Sequence, residues 1–212
     1  MKIALIGATG FVGAALLEEA LNRGHQVTAI ARHPEKLSQH PNLTVVRGDA
    51  YDSSALATLL AGHEALLSAF NPGWAEADIR ALFVRGSQAI IDASRQAGVR
   101  LLMVGGAGSL YVAPSLQLID SEGFPAAYKE GAEGARQALN ALQAETRLDW
   151  TFLSPPARLE PGARSGRFRL GGDELLMAGE QPAHISVADL AVALLDETEH
   201  PQHRRRRFTV GY

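Results

Sequence analysis

The sequence predicts an α/β fold: one domain, residues 1–212, built on a doubly wound parallel sheet with helices on both faces. Three observations carry that expectation. Short β-rich apolar runs alternate with segments of helical period along the chain. A glycine turn joins the first such run to the first helical segment. A length of 212 residues suits one domain, since α/β folds of roughly 200 to 250 residues commonly form a single unit.

Taken in order, the first strand is Lys2 to Ile6. The helix after it, Phe11 to Arg23, sets Val12, Leu16, Leu17, Ala20 and Leu21 on one stripe and stops at Gly24, a natural residue for the position after a helix. Strands follow at Gln26 to Ala31 and Leu43 to Arg47. Ser53 is placed to cap a helix reaching Ala61, with Gly62 ending it. The fourth strand is Ala65 to Ala69, and a long helix from about Ala75 to Ala97 ends at Gly98. Strand five, Leu101 to Val104, leads into an irregular stretch, Gly105 to Phe124, and a helix of about Pro125 to Glu145. Strand six, Trp150 to Leu153, leads into a second irregular stretch, Ser154 to Gly172. Ser186 and Asp189 resemble a capping box opening the last helix, Val187 to Thr198, and Arg207 to Val210 completes the sheet. Open α/β sheets bind ligands beyond the carboxyl ends of their strands, so the two irregular stretches are expected to roof the site.

Composition narrows the functional classes. With 46% hydrophobic and 20% charged residues, the chain belongs with ordinary globular proteins. It contains no cysteine, which excludes disulfides, cysteine-bound metals and a thiol nucleophile. A net charge of -3 argues against a nucleic-acid partner, and Arg204 to Arg207 reads as a solvated turn. The histidines are scattered, with only His200 and His203 close together, so no metal site is expected. The uncharged run Ile3 to Leu17 superficially resembles a signal peptide, but Gly7, Thr9, Gly10 and Gly13 interrupt it. Leu101 to Ile119 is also uncharged, yet Gly105, Gly106, Gly108 and Pro114 would leave backbone groups unpaired in lipid. The expectation is a cytoplasmic protein without a membrane partner.

The start of the chain, KIALIGATGFVGAALLEEAL, is the most informative segment. Gly7 permits a tight turn, Gly10 lets backbone N–H groups approach a pyrophosphate, and Gly13 allows close helix-to-strand packing. Strand, glycine turn and helix in that order are the context a dinucleotide-binding Rossmann-type turn requires. Gly7, Ala8, Thr9, Gly10, Phe11, Val12 and Gly13 are therefore candidate cofactor contacts. At the end of the second strand, where an acidic residue would bind the ribose hydroxyl of NAD, the chain has Ala31 and Arg32. A guanidinium there, near His33 and Lys36, favours NADP (NADPH) over NAD.

The spacing Gly-x-x-Gly-x-x-Gly resembles the extended and atypical short-chain dehydrogenase/reductase superfamily. Asp49 then resembles the acidic residue that such proteins place beside the adenine amino group. Ser68, Ala69, Phe70, Gly105, Gly106 and Pro155, at the exits of strands four to six, complete the expected cofactor contacts. GATGFVG, MVGGAGSL (103–110), LDWTFLSPPARLEPGARSG (148–166), HISVADLAVALLDE (184–197) and RFTVGY (207–212) further resemble a narrower NAD(P)H-binding family named for NADH-flavin reduction.

The superfamily's usual catalysts are a serine, a tyrosine and a lysine, the last two with Tyr-x-x-x-Lys spacing, which stacks both on one helix face. Here Tyr128 and Lys129 are adjacent, about 100° apart around a helix, and Ala132 stands four residues after the tyrosine. Tyr111 has Ser115 in the corresponding place. The usual tyrosine acid is thus expected to be missing, which suits an acceptor that delocalises a hydride, such as free flavin (FMN or FAD) or a quinone. Ser109 and Tyr128 are the polar candidates for substrate contact or catalysis, and Phe70, Tyr111, Tyr128, Pro155 and Pro156 are candidate apolar walls. Two other readings stay open: a sugar or carbonyl epimerase-dehydratase, and a non-catalytic NADP-binding redox sensor. The expected partner is a small-molecule acceptor, with the chain a monomer or homodimer.

Overall fold

The computed structural model describes all residues 1–212. The apolar runs assemble into one eight-stranded sheet of β1 (Lys2–Ile6), β2 (Gln26–Ala31), β3 (Leu43–Arg47), β4 (Ala65–Ser68), β5 (Arg100–Val104), β6 (Trp150–Ser154), β7 (Arg169–Gly171) and β8 (Arg206–Gly211). Their order is β7-β8-β6-β5-β4-β1-β2-β3, all neighbours pairing parallel except β7, which runs antiparallel to β8 at the edge. Five helices cover the sheet: α1 (Phe11–Asn22), α2 (Ser53–Leu60), α3 (Ile79–Ala97), α4 (Ala126–Ala144) and α5 (Val187–Glu199).

Alternate side chains of each central strand feed different cores. Ala4 and Ile6 of β1, Leu101 and Met103 of β5, and Trp150 and Phe152 of β6 pack under α2, α3 and α4. Ile3 and Leu5, Leu102 and Val104, and Phe208 and Val210 of β8 pack under α1 and α5. Burial on both faces explains why these strands read as continuous apolar runs. The chain turns right and left from β1, toward β2 and β4, so the strand order reverses between β1 and β4. That reversal opens a crevice at the carboxyl ends.

Several element ends differ from expectation. Asp52, rather than Ser53, caps α2, its carboxylate accepting from the Ala55 N–H at 3.0 Å. The helix expected from Ala75 begins at Ile79, because Gly73 takes φ +125° and Asn71 Oδ1 bonds the Gly73 N–H at 2.8 Å, turning the chain before it can coil. Ser186 does cap α5 through the Asp189 N–H, at 3.0 Å, but Asp189 does not reach back. Its buried carboxylate instead accepts from the Ser165 and Gly166 N–H groups and from the Ser165 and Tyr212 hydroxyls.

The two irregular stretches contain short strands. Tyr111–Ala113 and Leu116–Gln117 form a hairpin, and Arg158–Glu160 pairs in parallel with His184–Ser186. They lie over opposite faces of the sheet. The first packs on α4, where an ideal Cβ on Gly108 would sit 3.1 Å from the Ala132 Cβ. The second is held to α1 by Arg164, which donates to Glu19 at 2.7 Å, and to α5 through Asp189. No helix is long and apolar enough to cross a membrane.

Candidate functional site

At the crevice between β1 and β4 the glycines behave as their spacing requires. Gly7 adopts φ +88°, and a Cβ there would come within 2.5 Å of the Ala69 carbonyl oxygen. A Cβ on Gly13 would lie 1.9 Å from the Gly7 carbonyl oxygen, so only glycine lets α1 press against the turn. Gly10 is different: its only close neighbour would be the Gly7 carbonyl oxygen, at 3.4 Å, and its outer side is open. The first helical bond runs from the Ala14 N–H to the Gly10 carbonyl, which leaves the Phe11, Val12 and Gly13 N–H groups outside the helical ladder. No side chain caps this end and no acidic residue occupies the first turn. A helix start of this kind attracts an anion.

In front of it lies a cavity of about 240 Å³. The exits of four strands line it: Ile6 to Gly10 after β1, Ile30 to His33 with Lys36 after β2, Gly48 to Tyr51 after β3, and Ala69 to Pro72 after β4. Arg32, His33 and Lys36 thus line the same cavity, as the sequence suggests, and Asp49 is the lone carboxylate of the lining. Glu35, the nearest acid in sequence, is occupied elsewhere: it bonds His33 at 3.1 Å and faces Arg47 at 4.0 Å. Arg32 forms no ion pair within the protein. The glycine cradle and the open side of Gly10 leave room for a dinucleotide.

Tyr51 is a lining residue that the sequence reading missed. Its ring meets Phe70 edge-on at 5.7 Å, and the Arg85 guanidinium lies 4.2 Å over it. Burial pushes the Tyr51 hydroxyl up, against the opposing pull of Arg85 and Arg32. Phe70 in turn packs on α3, where Gly86 makes room: a Cβ at that glycine would fall 2.3 Å from the ring. An aromatic two residues beyond Asp49, in a turn otherwise made of small and acidic residues, is the signal that could have pointed to Tyr51.

Other expected residues lie outside the lining of this cavity. Ser68 is fully buried and does not line the cavity; its hydroxyl accepts from the Phe70 N–H at 3.4 Å. Phe11 is largely exposed at the start of α1, and Val12 packs against the core under α1 and α5. Gly105 and Gly106 follow β5 on the α4 side, and a Cβ on Gly105 would strike the Phe152 ring at 1.9 Å. Pro155 and Pro156 are buried after β6.

Ser109 departs most from expectation. It is 2% exposed, and its hydroxyl and carbonyl both accept from the Arg207 guanidinium, at 3.0 and 2.8 Å. That guanidinium also donates to the Asp173 carboxylate at 2.8 Å. Arg207 is therefore buried, and the reading of residues 204–207 as a solvated turn fails at its last member. The pairing of Arg207 with Phe152 in adjacent strands places its side chain inward, under the α4-side stretch. Tyr111 likewise leaves the cleft. Its backbone bonds Asp173 and Leu175, and it lines a separate cavity of about 1090 Å³ between the hairpin and residues 173–182. Tyr128 stands exposed in the first turn of α4, its ring 5.4 Å from that of Trp74. Ala132, a turn further along α4, supplies no ammonium to pair with it.

Comparison with known proteins agrees with this geometry. A family described as NAD(P)H-binding matches residues 7–198. The uncharacterized protein YwnB of Bacillus subtilis is 39% identical over 216 residues, spanning 99% of this chain and 98% of its own. Among solved structures, a Bacteroides thetaiotaomicron protein provisionally assigned as an epimerase is 46% identical with a TM-score of 0.93, covering 100% of this chain and 96% of that one. A Streptococcus pneumoniae protein provisionally assigned as an NADH-flavin reductase is 31% identical with a TM-score of 0.87, covering 100% and 99%.

Proposed function

Because the chain belongs to the NAD(P)H-binding family, we propose that it is an NADPH-dependent reductase of a flat conjugated acceptor, such as a free flavin or a quinone. The observation that carries this reading is the missing proton relay. Tyr128 has Ala132 one turn on, and Ser109 is buried under Arg207, so neither a lysine-lowered tyrosine nor a serine faces the crevice. A carbonyl reductase, epimerase or dehydratase needs such an acid at its substrate oxygen. A conjugated ring does not, since it spreads incoming charge over its own atoms and takes its proton from water.

When bound, NADPH supplies the hydride. The chain's own task is to hold and orient. The Gly7 to Gly13 turn and the free N–H groups of α1 would receive the pyrophosphate. Arg32, with His33 and Lys36 beside it, would receive the 2′-phosphate, and Asp49 and Tyr51 would flank the adenine. Placement of two rings at fixed distance is itself a large share of the rate when no acid is required.

The test is purified protein with NADPH or NADH against flavins, quinones, tetrapyrroles and aldehydes, followed by loss of reduced-nicotinamide absorbance. Turnover is expected with flat acceptors and NADPH. Turnover confined to aldehydes or sugars would establish the epimerase-dehydratase class instead, and tight NADPH binding with no turnover would establish a sensor.

A further inference from the structure

The two most exposed large apolar side chains in the protein are neighbours. Trp74 is 60% exposed and Tyr128 is 54% exposed, and their rings meet edge to face at 5.4 Å and 80°. Leaving two aromatic rings in water forgoes the burial that stabilises such residues elsewhere in a fold, and an exposed apolar patch of this kind marks a contact surface.

Its position follows from the packing of two helices. On α4, Ala135 is level with the end of β5, its Cβ 3.5 Å from where a Cβ on Gly106 would be. Tyr128 precedes Ala135 by seven residues on the same helix, which at 1.5 Å per residue lifts it about 10 Å above that level. On α3, Gly86 is level with Phe70 at the exit of β4, and the helix begins seven residues earlier, again about 10 Å higher. The two helix starts therefore project together beyond the carboxyl ends of β4 and β5. Trp74 bridges them. Its ring lies against α4 at Gly131, where a Cβ would fall 2.6 Å from it, and that Cβ would also meet the Ile79 side chain of α3 at 3.2 Å. The loop that carries Trp74 is the one whose Phe70, Asn71 and Pro72 line the nucleotide cleft.

We propose that Trp74 and Tyr128 form an aromatic lip that stacks the acceptor, a planar conjugated ring, beside the cofactor cleft. This rests on the reductase reading above. An edge-to-face pair leaves ring faces free, and a flat ring laid against them gains stacking without a hydrogen-bond pattern, so the lip selects for flatness rather than for one compound. Tyr128 contributes its ring here, not a proton.

The experiment compares wild type with Trp74→Ala, Tyr128→Ala, Trp74→Phe and Tyr128→Phe, using NADPH with FMN and with a quinone. Each alanine variant is expected to raise the acceptor KM about ten- to hundred-fold, the scale of losing one stacking partner. The NADPH Kd should stay within about twofold, and the phenylalanine variants, which keep a ring, should recover most of the lost KM. A second readout does not need turnover. Trp150, the only other tryptophan, is 3% exposed, so iodide quenching of emission reports Trp74. FMN added to the NADP-bound protein should shield Trp74 from iodide. Unchanged acceptor KM in both alanine variants, or no shielding by FMN or quinone, would overturn the lip. Shielding without turnover would uphold the lip and remove the reductase reading.

Discussion

Arg32 enters the cleft with no carboxylate partner, so its guanidinium is available to a ligand. Charge-assisted bonds to a phosphate contribute roughly 1.5 to 3 kcal/mol, or about ten- to hundred-fold in affinity. Arg32→Ala is expected to weaken NADPH by that factor, in a salt-dependent way, and to change NADH little. Measured dissociation constants decide it: a wild type that prefers NADH, or a mutant that loses both equally, would show that Arg32 does not read the 2′-phosphate. Ser109 illustrates the opposite case. Its hydroxyl accepts from a buried arginine, so Ser109→Ala should cost about 1 kcal/mol of stability and leave kcat within about threefold. A loss of about 100-fold in kcat at unchanged stability would return Ser109 to the chemistry. Both residues are polar and both stand near strand exits, and nothing in their local sequence separates them. What separates them is Arg207, 98 residues away from Ser109 in the chain.

At the scale of the element, the glycines of the β1–α1 turn differ in the room their neighbours leave for a side chain. A valine at position 10 meets only the Gly7 carbonyl oxygen with its Cβ, at 3.4 Å, and its methyl groups enter the space in front of α1. Gly10→Val should therefore leave a folded protein whose dinucleotide affinity falls at least tenfold, the effect of obstructing a site worth several charge-assisted bonds. Unchanged affinity by calorimetry would remove this turn from the cofactor site. At position 13 the added methyl would overlap the Gly7 carbonyl, at 1.9 Å from its oxygen. Gly13→Ala is expected to destabilise by about 1 to 3 kcal/mol, the usual range for overpacking, visible as a lower Tm before any ligand is added. The motif was legible in the sequence because its physics is local: a turn, a close approach and a helix start lie within seven residues. The start of α3 was not legible in the same way. Its helical pattern extends back to Ala75, but a side-chain bond from Asn71 and the positive φ of Gly73 hold the preceding loop open, with Trp74 at its tip.

For the whole molecule, carboxylates held by hydrogen bonds and ion pairs tie distant elements, and they set how the fold meets acid. The backbone N–H of Arg147, with the Arg95 guanidinium of α3 and the Leu148 N–H, holds the Glu145 carboxyl at a pKa of about 2. Burial alone would raise Glu197 of α5, but the Gln202 and His203 N–H groups, the His203 ring and Arg100 hold it below its ordinary value. Burial likewise opposes, and the hydroxyls of Ser165 and Tyr212 and two backbone N–H groups outweigh, the rise of Asp189. Each of these groups is more acidic folded than unfolded. Their contribution is thus complete above the ordinary carboxylate value of 4.5 for the glutamates and 3.8 for the aspartate, and it is lost as the pH falls further. The Tm should decline from about pH 4.5 toward pH 2, and Glu145→Gln should lower it at neutral pH while flattening that decline. Losing hydrogen bonds to a charged group puts the neutral-pH cost at about 1.5 to 3 kcal/mol. An acid transition of the same slope in the mutant would show that Glu145 does not contribute to it.

By itself the sequence determined the seven parallel strands, the five helices, the single α/β domain and the glycine turn after β1, but not the antiparallel edge strand β7, because apolar period and glycine spacing act over a few residues. It also showed that no lysine follows Tyr128 at one turn. Only the tertiary structure decided which of the remaining polar and aromatic side chains face the crevice. Arg207 turned inward because β8 pairs with β6, Ser109 was buried beneath it, and Tyr111 was drawn to the sheet edge by Asp173 and Leu175. Tyr51, Arg85 and Trp74 came to matter through partners on other elements. Contacts between residues far apart in the chain depend on how strands are ordered and how helices rise past the sheet, and a periodicity read over a few turns carries no record of either.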